Sequence, residues 1–125
     1  MAKCINKIML IGYLGEDPEL RYQADGTAVT TMSLATSETW RCRKTKKLQK
    51  RTDWHRVVLV SRLAEFAVNY LKKGNKVYIE GCLQYRLVER YGESIKVAEI
   101  QGKEMQLFQA PLVAPSELTT EKTAV

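Results

Sequence analysis

A chain of 125 residues with 45% apolar content is long enough for one domain with a real core. No run of about 18 apolar residues occurs, which excludes a spanning helix. Cys4, Cys42 and Cys82 are too widely spaced for a disulfide framework. The net charge of +6 is concentrated in residues 41–51, "RCRKTKKLQKR". There Arg41, Arg43, Lys44, Lys46, Lys47, Lys50 and Arg51 occur with no acid, and the rest of the chain is nearly neutral. Such a run suits a polyanion, because each neutralised phosphate releases condensed counterions.

Taken in chain order, "MAKCINKIMLIGYLG" places lysines before an apolar stretch, as a signal peptide does. Gly12 breaks that stretch early, and "GEDPE" follows where a small-residue cleavage site would stand. The segment is therefore read as the first strand of a cytoplasmic protein. "ADG", Ala24 to Gly26, is a tight-turn signal. In the second strand, Val29, Thr31, Ser33 and Ala35 alternate with Thr30, Met32, Leu34 and Thr36, and the second set is the more apolar. The basic run then reads as an extended hairpin finger leading into "TDWHRVVLVS", the third strand.

"SRLAEFAVNYLKKG" changes period. Leu63, Phe66, Ala67, Tyr70 and Leu71 share one helical face, with Ser61 as the expected cap. Lys72 and Lys73 suit the helix C-terminus, and Gly74 its closure. Two long strands follow around a turn at Tyr91–Ser94, and Gly81 in mid-strand fits a bulge. The predicted fold is all-β: a five-stranded OB-fold Greek-key barrel with one helix between strands 3 and 4. Residues 1–108 form this domain, and the Pro-containing polar segment 109–125 is expected to be a short disordered tail.

His55 is the single histidine. Asp53 shares its strand face, but no nucleophile motif or phosphate loop accompanies the pair, so no enzyme is expected. A zinc site built from three cysteines and His55 lacks the usual close ligand pairs, so neither a metal nor another cofactor is expected. The aromatic signal is stronger. Trp40 and Trp54 flank the basic finger, and a hairpin is expected to bring them near each other. Strand period puts Trp54, Arg56, Val58 and Val60 on one face, and His55, Val57 and Leu59 on the other. Indole rings among cations suit unpaired nucleic acid, whose bases stack on aromatic faces.

Four segments, "NKIMLIGYLGEDPELRY", "SLATSETW", "TDWHRVVLVSRLAEFAVNYLKKGNKVYIEG" and "MQL", make the chain resemble the single-stranded DNA-binding protein family of bacteria and mitochondria. The resemblance covers about residues 3–108. It implies a non-enzymatic homotetramer that coats and protects single-stranded DNA in replication, recombination and repair, without sequence preference. Base stacking is implied for Trp40 and Trp54. Phosphate contact is implied for Lys7, Arg21, Arg56, Arg62, Lys73 and Arg86, together with the basic residues of the finger. The subunit interface is implied at Asn6, Ile8, Leu10, His55 and Tyr78.

Three departures stand out. Val60 and Val88 occupy positions where family members often carry an aromatic residue, which implies binding that leans more on charge. The end "ELTTEKTAV" has no acidic cluster and no Phe. That puts docking of replication and repair enzymes through an acidic tip in doubt. Two alternatives follow from these departures and from the barrel itself: a primosome-type OB-fold dimer that bridges helicase-loading proteins, and an RNA-binding OB protein.

Overall fold

Alternation along the chain decides which side of each strand is buried. The computed structural model describes residues 3–108; the expected tail at 109–125 lies outside them. The elements are β1 (Ile8–Leu14), β2 (Arg21–Tyr22), β3 (Ala28–Arg41), β4 (Leu48–Val60), α1 (Ser61–Tyr70), β5 (Lys76–Arg90) and β6 (Glu93–Phe108). In β3, Thr30, Met32 and Leu34 are buried and their alternates half-buried, as the period-two pattern requires. Val57 and Leu59 of β4, Val77 and Ile79 of β5, and Ile100 of β6 complete the inner layer. Each such side chain contributes about 1.5–3 kcal/mol by leaving water. The one buried polar residue among those described is Thr30. Its hydroxyl donates to the Glu19 carbonyl at 2.6 Å, which ties the β1–β2 connection to the barrel.

The sheet runs β1-β5-β6-β4-β3-β2, and a further β1–β3 pairing closes it. Closure on the β1 side is short, with only Tyr13↔Ala35 and Leu14↔Leu34. On the other side β4 meets β6 in parallel through Val57↔Ile100 and Val58↔Gln101. The result is the expected five-stranded barrel with a helix ahead of the last two strands. The extra strand is β2, a two-residue rung on β3 across the Ala24–Gly26 turn, where Gly26 takes φ +90°. Asp25 accepts the Thr27 N–H in this turn at 3.0 Å, and that bond holds its carboxyl below the usual range.

Three helix expectations need correction. Ser61 is not the cap: β4 runs directly into α1 with Val60 at the N-cap, and no side chain caps the helix. With no loop between them, Ser61 takes the change of direction itself, at φ +55°. Gly74 does not close the helix, which ends at Tyr70, and Lys72 and Lys73 lie beyond its last turn. Gly74 instead serves the Lys72–Asn75 turn, at φ +90°, and donates to the Leu14 carbonyl at 2.8 Å. The inner face is Ala64, Ala67 and Leu71, with Leu63 packed beside them; Phe66 and Tyr70 point outward. Two alanines let the helix backbone approach the barrel closely, and a large ring at either position would hold it off.

Gly81 does sit at an irregularity. The β5–β6 register shifts between Glu80 and Gly81, and a Cβ at Gly81 would collide with the Gln101 carbonyl oxygen. The turn beyond is a two-residue hairpin of Tyr91 and Gly92, both with positive φ. Replacing Gly81 with alanine should force the two backbones apart and cost about 1–3 kcal/mol. Urea unfolding would read this as a lower midpoint; an unchanged midpoint would show that the bend tolerates a side chain.

Candidate nucleic-acid interface

The basic run is a hairpin arm. Strands β3 and β4 stay paired over thirteen rungs, from Val29↔Val60 to Arg41↔Leu48, well beyond the closed part of the barrel. Cys42 and Lys46–Lys47 close the tip: Lys46 N–H donates to the Cys42 carbonyl at 2.8 Å, and Cys42 N–H to the Lys47 carbonyl at 2.9 Å. Lys46 takes φ +59° there. Arg41 Nη1 donates to the Lys46 carbonyl at 3.0 Å and stiffens the tip. The Cys42 thiol is held below its usual pKa, first by a hydrogen bond from the Thr45 hydroxyl.

Trp54 and Arg56 lie on the outer face of β4, while Val57 and Leu59 point inward, as strand period predicts. Trp54 is 62% exposed. Its ring edge lies over Gly15, where a Cβ would come within 2.5 Å of the indole. Gly15 in turn donates to the Ser33 carbonyl at 2.9 Å, so the β1–β2 connection walls one side of the ring.

Trp40 is 47% exposed, but it does not meet Trp54. Trp54 pairs with Ala35 and Trp40 with Gln49, which separates the rings by five rungs, about 17 Å at ~3.4 Å per residue. An odd number of rungs also puts them on opposite faces of the ribbon. The expectation that the hairpin brings them near each other is therefore corrected. The pairing centres the hairpin between Lys44 and Thr45, much nearer to Trp40 than to Trp54.

The cations form two populations. Arg56 Nε approaches Glu99 Oε2 at 2.7 Å, and Arg86 Nη2 reaches the same oxygen at 3.0 Å. Glu99, with its side chain only 13% exposed, thus fastens two arginines beside Trp54. Lys7 pairs with Glu80 at 3.5 Å, Arg21 with Glu19 at 3.9 Å and Arg51 with Asp53 at 3.3 Å. By contrast, Arg43, Lys44, Lys46, Lys47, Lys50, Arg62 and Lys73 have no carboxylate partner among the described residues. Lys76, Arg90, Lys96 and Lys103 of β5 and β6 also lack a carboxylate partner among the described residues, but the two arginines beside Trp54 are both tied to Glu99, so the densest unpaired charge is that of the arm.

Arg56 lines two hollows of about 300 Å³ each. One is largely apolar, with Ile8, Leu10, Leu83 and Ile100 beside Trp54, and its acid is Glu99. The other carries Glu16, Asp17, Glu19 and Arg21, and its acids would repel a phosphate. The Trp54 hollow instead has one acid, Glu99, which is already paired with Arg56 and Arg86. Glu99 and Gly15 were invisible to sequence reasoning, because nothing local marks Glu99 as the partner of Arg56, 43 residues away.

The residues expected at a subunit interface are distributed as follows. Asn6 extends the β1–β5 ladder: its Nδ2 donates to the Leu83 carbonyl at 2.8 Å, and its Oδ1 accepts the Leu83 N–H at 2.9 Å. Ile8 and Leu10 turn inward, half-buried against the core, so the outward apolar side chains of β1 are Met9, Ile11 and Tyr13. Tyr78 stands opposite Ile11 and donates to Glu80 at 2.6 Å. That bond pushes the Tyr78 phenol up and holds the Glu80 carboxyl down. His55 Nε2 lies 2.7 Å from the Thr36 hydroxyl. Among the described residues, no strand pairs with residues 8–12 of β1 on the side facing β3. Among the described residues, Cys4, Cys42 and Cys82 do not gather with His55 into a metal-binding group.

Comparison with known proteins places this geometry. The model of the single-strand binding protein family matches residues 5–108. The SSB of Plasmodium falciparum, solved in complex with ssDNA, is 35% identical with a TM-score of 0.79. That match covers 87% of this chain and 99% of the other. A deletion variant of the single-stranded DNA-binding protein from Thermus aquaticus is 28% identical with a TM-score of 0.73. There the match covers 84% of this chain but only 51% of the other, so this chain spans about half of that protein.

Glu99 should restrain binding to any polyanion. Replacing it with glutamine releases Arg56 and Arg86 at a stability cost of about 1 kcal/mol or less, because both arginines are half exposed. The Glu99→Gln protein should elute from heparin at higher salt than the parent. Elution at equal or lower salt would mean that the carboxylate mainly holds the arginines in place.

Proposed function

The chain belongs to the single-strand binding protein family, and on that premise we propose that it binds single-stranded DNA irrespective of sequence. It coats and protects the strand in replication, recombination and repair. Like its family, it acts by binding and not by catalysis. The observation that carries this reading is the exposed Trp54 beside Arg56 and Arg86, at the root of an arm bearing unpaired cations. A base stacked on an indole contributes about 1–3 kcal/mol, and every base offers a π-face, so the contact is indifferent to sequence. Duplex DNA hides those faces, which favours unpaired strands. The arm and its root, Arg41, Arg43, Lys44, Lys46, Lys47, Lys50 and Arg51, would follow the phosphates, and Trp40 would offer a second ring on the far side of the ribbon.

A homotetramer fits the same reading. An uncovered β1 edge with Met9 and Ile11 beside it is a surface that folded proteins normally cover. Closed symmetry would repeat that contact, with Asn6, Tyr78 and His55 near it. No helix among the described residues is long and apolar enough to cross a membrane, and we place the protein with DNA in the cytoplasm.

Titration with poly-dT should quench tryptophan fluorescence strongly, and Trp54→Ala should remove most of the quench and weaken binding at least about fivefold. Tight binding by the parent with its fluorescence unchanged would take Trp54 out of the site. Light scattering should give about 57 kDa, four chains of 14.3 kDa; a mass near half that value would exclude the tetramer.

A further inference from the structure

The outer face of α1 carries an aromatic pair that the fold does not use. Phe66 and Tyr70 stand one helical turn apart with ring centroids 4.8 Å from each other, tilted by 39°. They are 38% and 61% exposed, while Ala64, Ala67 and Leu71 do the packing. Arg62 lies one turn before Phe66, and Lys73 three residues after Tyr70. Neither has a carboxylate partner among the described residues, although the Lys73 backbone N–H donates to Asp17 at 2.7 Å. Glu65 is the one acid within the helix.

We infer that this stripe is a second base-stacking platform, on which single-stranded DNA continues after leaving the Trp54 face. The inference rests on the single-stranded DNA reading given above. Three observations select this occupant. The stripe puts cation, ring, ring, cation in sequence, the alternation that a strand of bases and phosphates needs. Along the chain it also follows the outward row Trp54, Arg56, Val58, Val60 with no intervening loop, Arg62 standing two residues after Val60. Finally, that row ends in two valines, which offer no flat π-face. Tyr70 supplies the more open ring, and Phe66 props it from one turn below. The distance from Arg62 to Tyr70 is about 12 Å along the helix axis.

Stacking and phosphate contact separate in salt dependence, because only phosphate contacts release counterions. The double variant Phe66→Leu/Tyr70→Leu keeps apolar bulk and removes both rings. It should bind poly-dT about fivefold or more weakly at every salt concentration, with an unchanged log–log slope and a full quench of the Trp54 signal. Arg62→Gln should flatten that slope by about 0.7. Parental affinity in the double variant would overturn the platform while leaving the Trp54 reading intact. A lower oligomer mass in that variant with undiminished affinity would assign the face to a second copy, and also overturn it. Failure of the parent protein to bind poly-dT would remove both readings.

Discussion

Two parallel rungs, Val57↔Ile100 and Val58↔Gln101, hold the rest of the molecule in place. Without them β1, β3, β4, β5 and β6 would form an open sheet with two long edges. With them the inward set of β4 faces that of β5, and Val57, Leu59, Ile79 and Ile100 share one dry interior. The same contact has an outward consequence. It sets Arg56 beside Glu99, and the β5–β6 pairing brings Arg86 to the same oxygen. Core closure and the charged wall beside Trp54 are therefore one constraint seen from two sides. A change that loosened the β4–β6 seam would disperse the arginines as surely as it opened the core.

Both faces of β4 matter because its length exceeds what the barrel needs. Inside the barrel, alternation sorts apolar from polar side chains; beyond it, the same alternation continues with nothing to bury. The arm is thus a sheet without a core, held by the outer rungs from Thr36↔Asp53 to Arg41↔Leu48 and by Arg41 across its tip. That explains why it can carry so much unpaired charge. Like charges spread along an exposed ribbon are well solvated and screened within about 8–10 Å, whereas the same charges gathered at the barrel wall would repel one another across a lower dielectric.

Much of this was legible in the sequence, and the limits have physical causes. Period two in β3 and β4 identified the buried sides correctly, because burial on one face leaves no freedom of register. Gly81 was legible because a mid-strand glycine has few other uses. The helix was legible as a helix but not in its rotation: residues 63, 66, 67, 70 and 71 and residues 63, 64, 67 and 71 both satisfy the period. Only the closeness of helix to barrel chooses the alanines. The missing cap arose similarly, since Ser61 looks like an N-cap until β4 is seen to run without a break into the helix. The two tryptophans misled because proximity to a loop in sequence was taken for proximity in space, and a hairpin's centre is known only from its rungs. Glu99 was illegible in principle, since an ion pair across 43 residues needs the fold before it can be seen.

The division of the cations into paired and unpaired sets gives the molecule two electrostatic tasks. Unpaired lysines and arginines on a projecting arm act at long range and raise the rate of encounter with a polyanion, but their mobility gives little orientation. Arg56 and Arg86, tied to one buried-side carboxylate, contribute less net charge and far more order. A guanidinium already held in position loses less freedom when a phosphate arrives, and the ring of Trp54 beside it is braced by Gly15. The arm attracts and the wall aligns. The charge that Glu99 removes from the wall is then the condition for a defined geometry there, and the free charge on the arm makes up the attraction that the wall gives away.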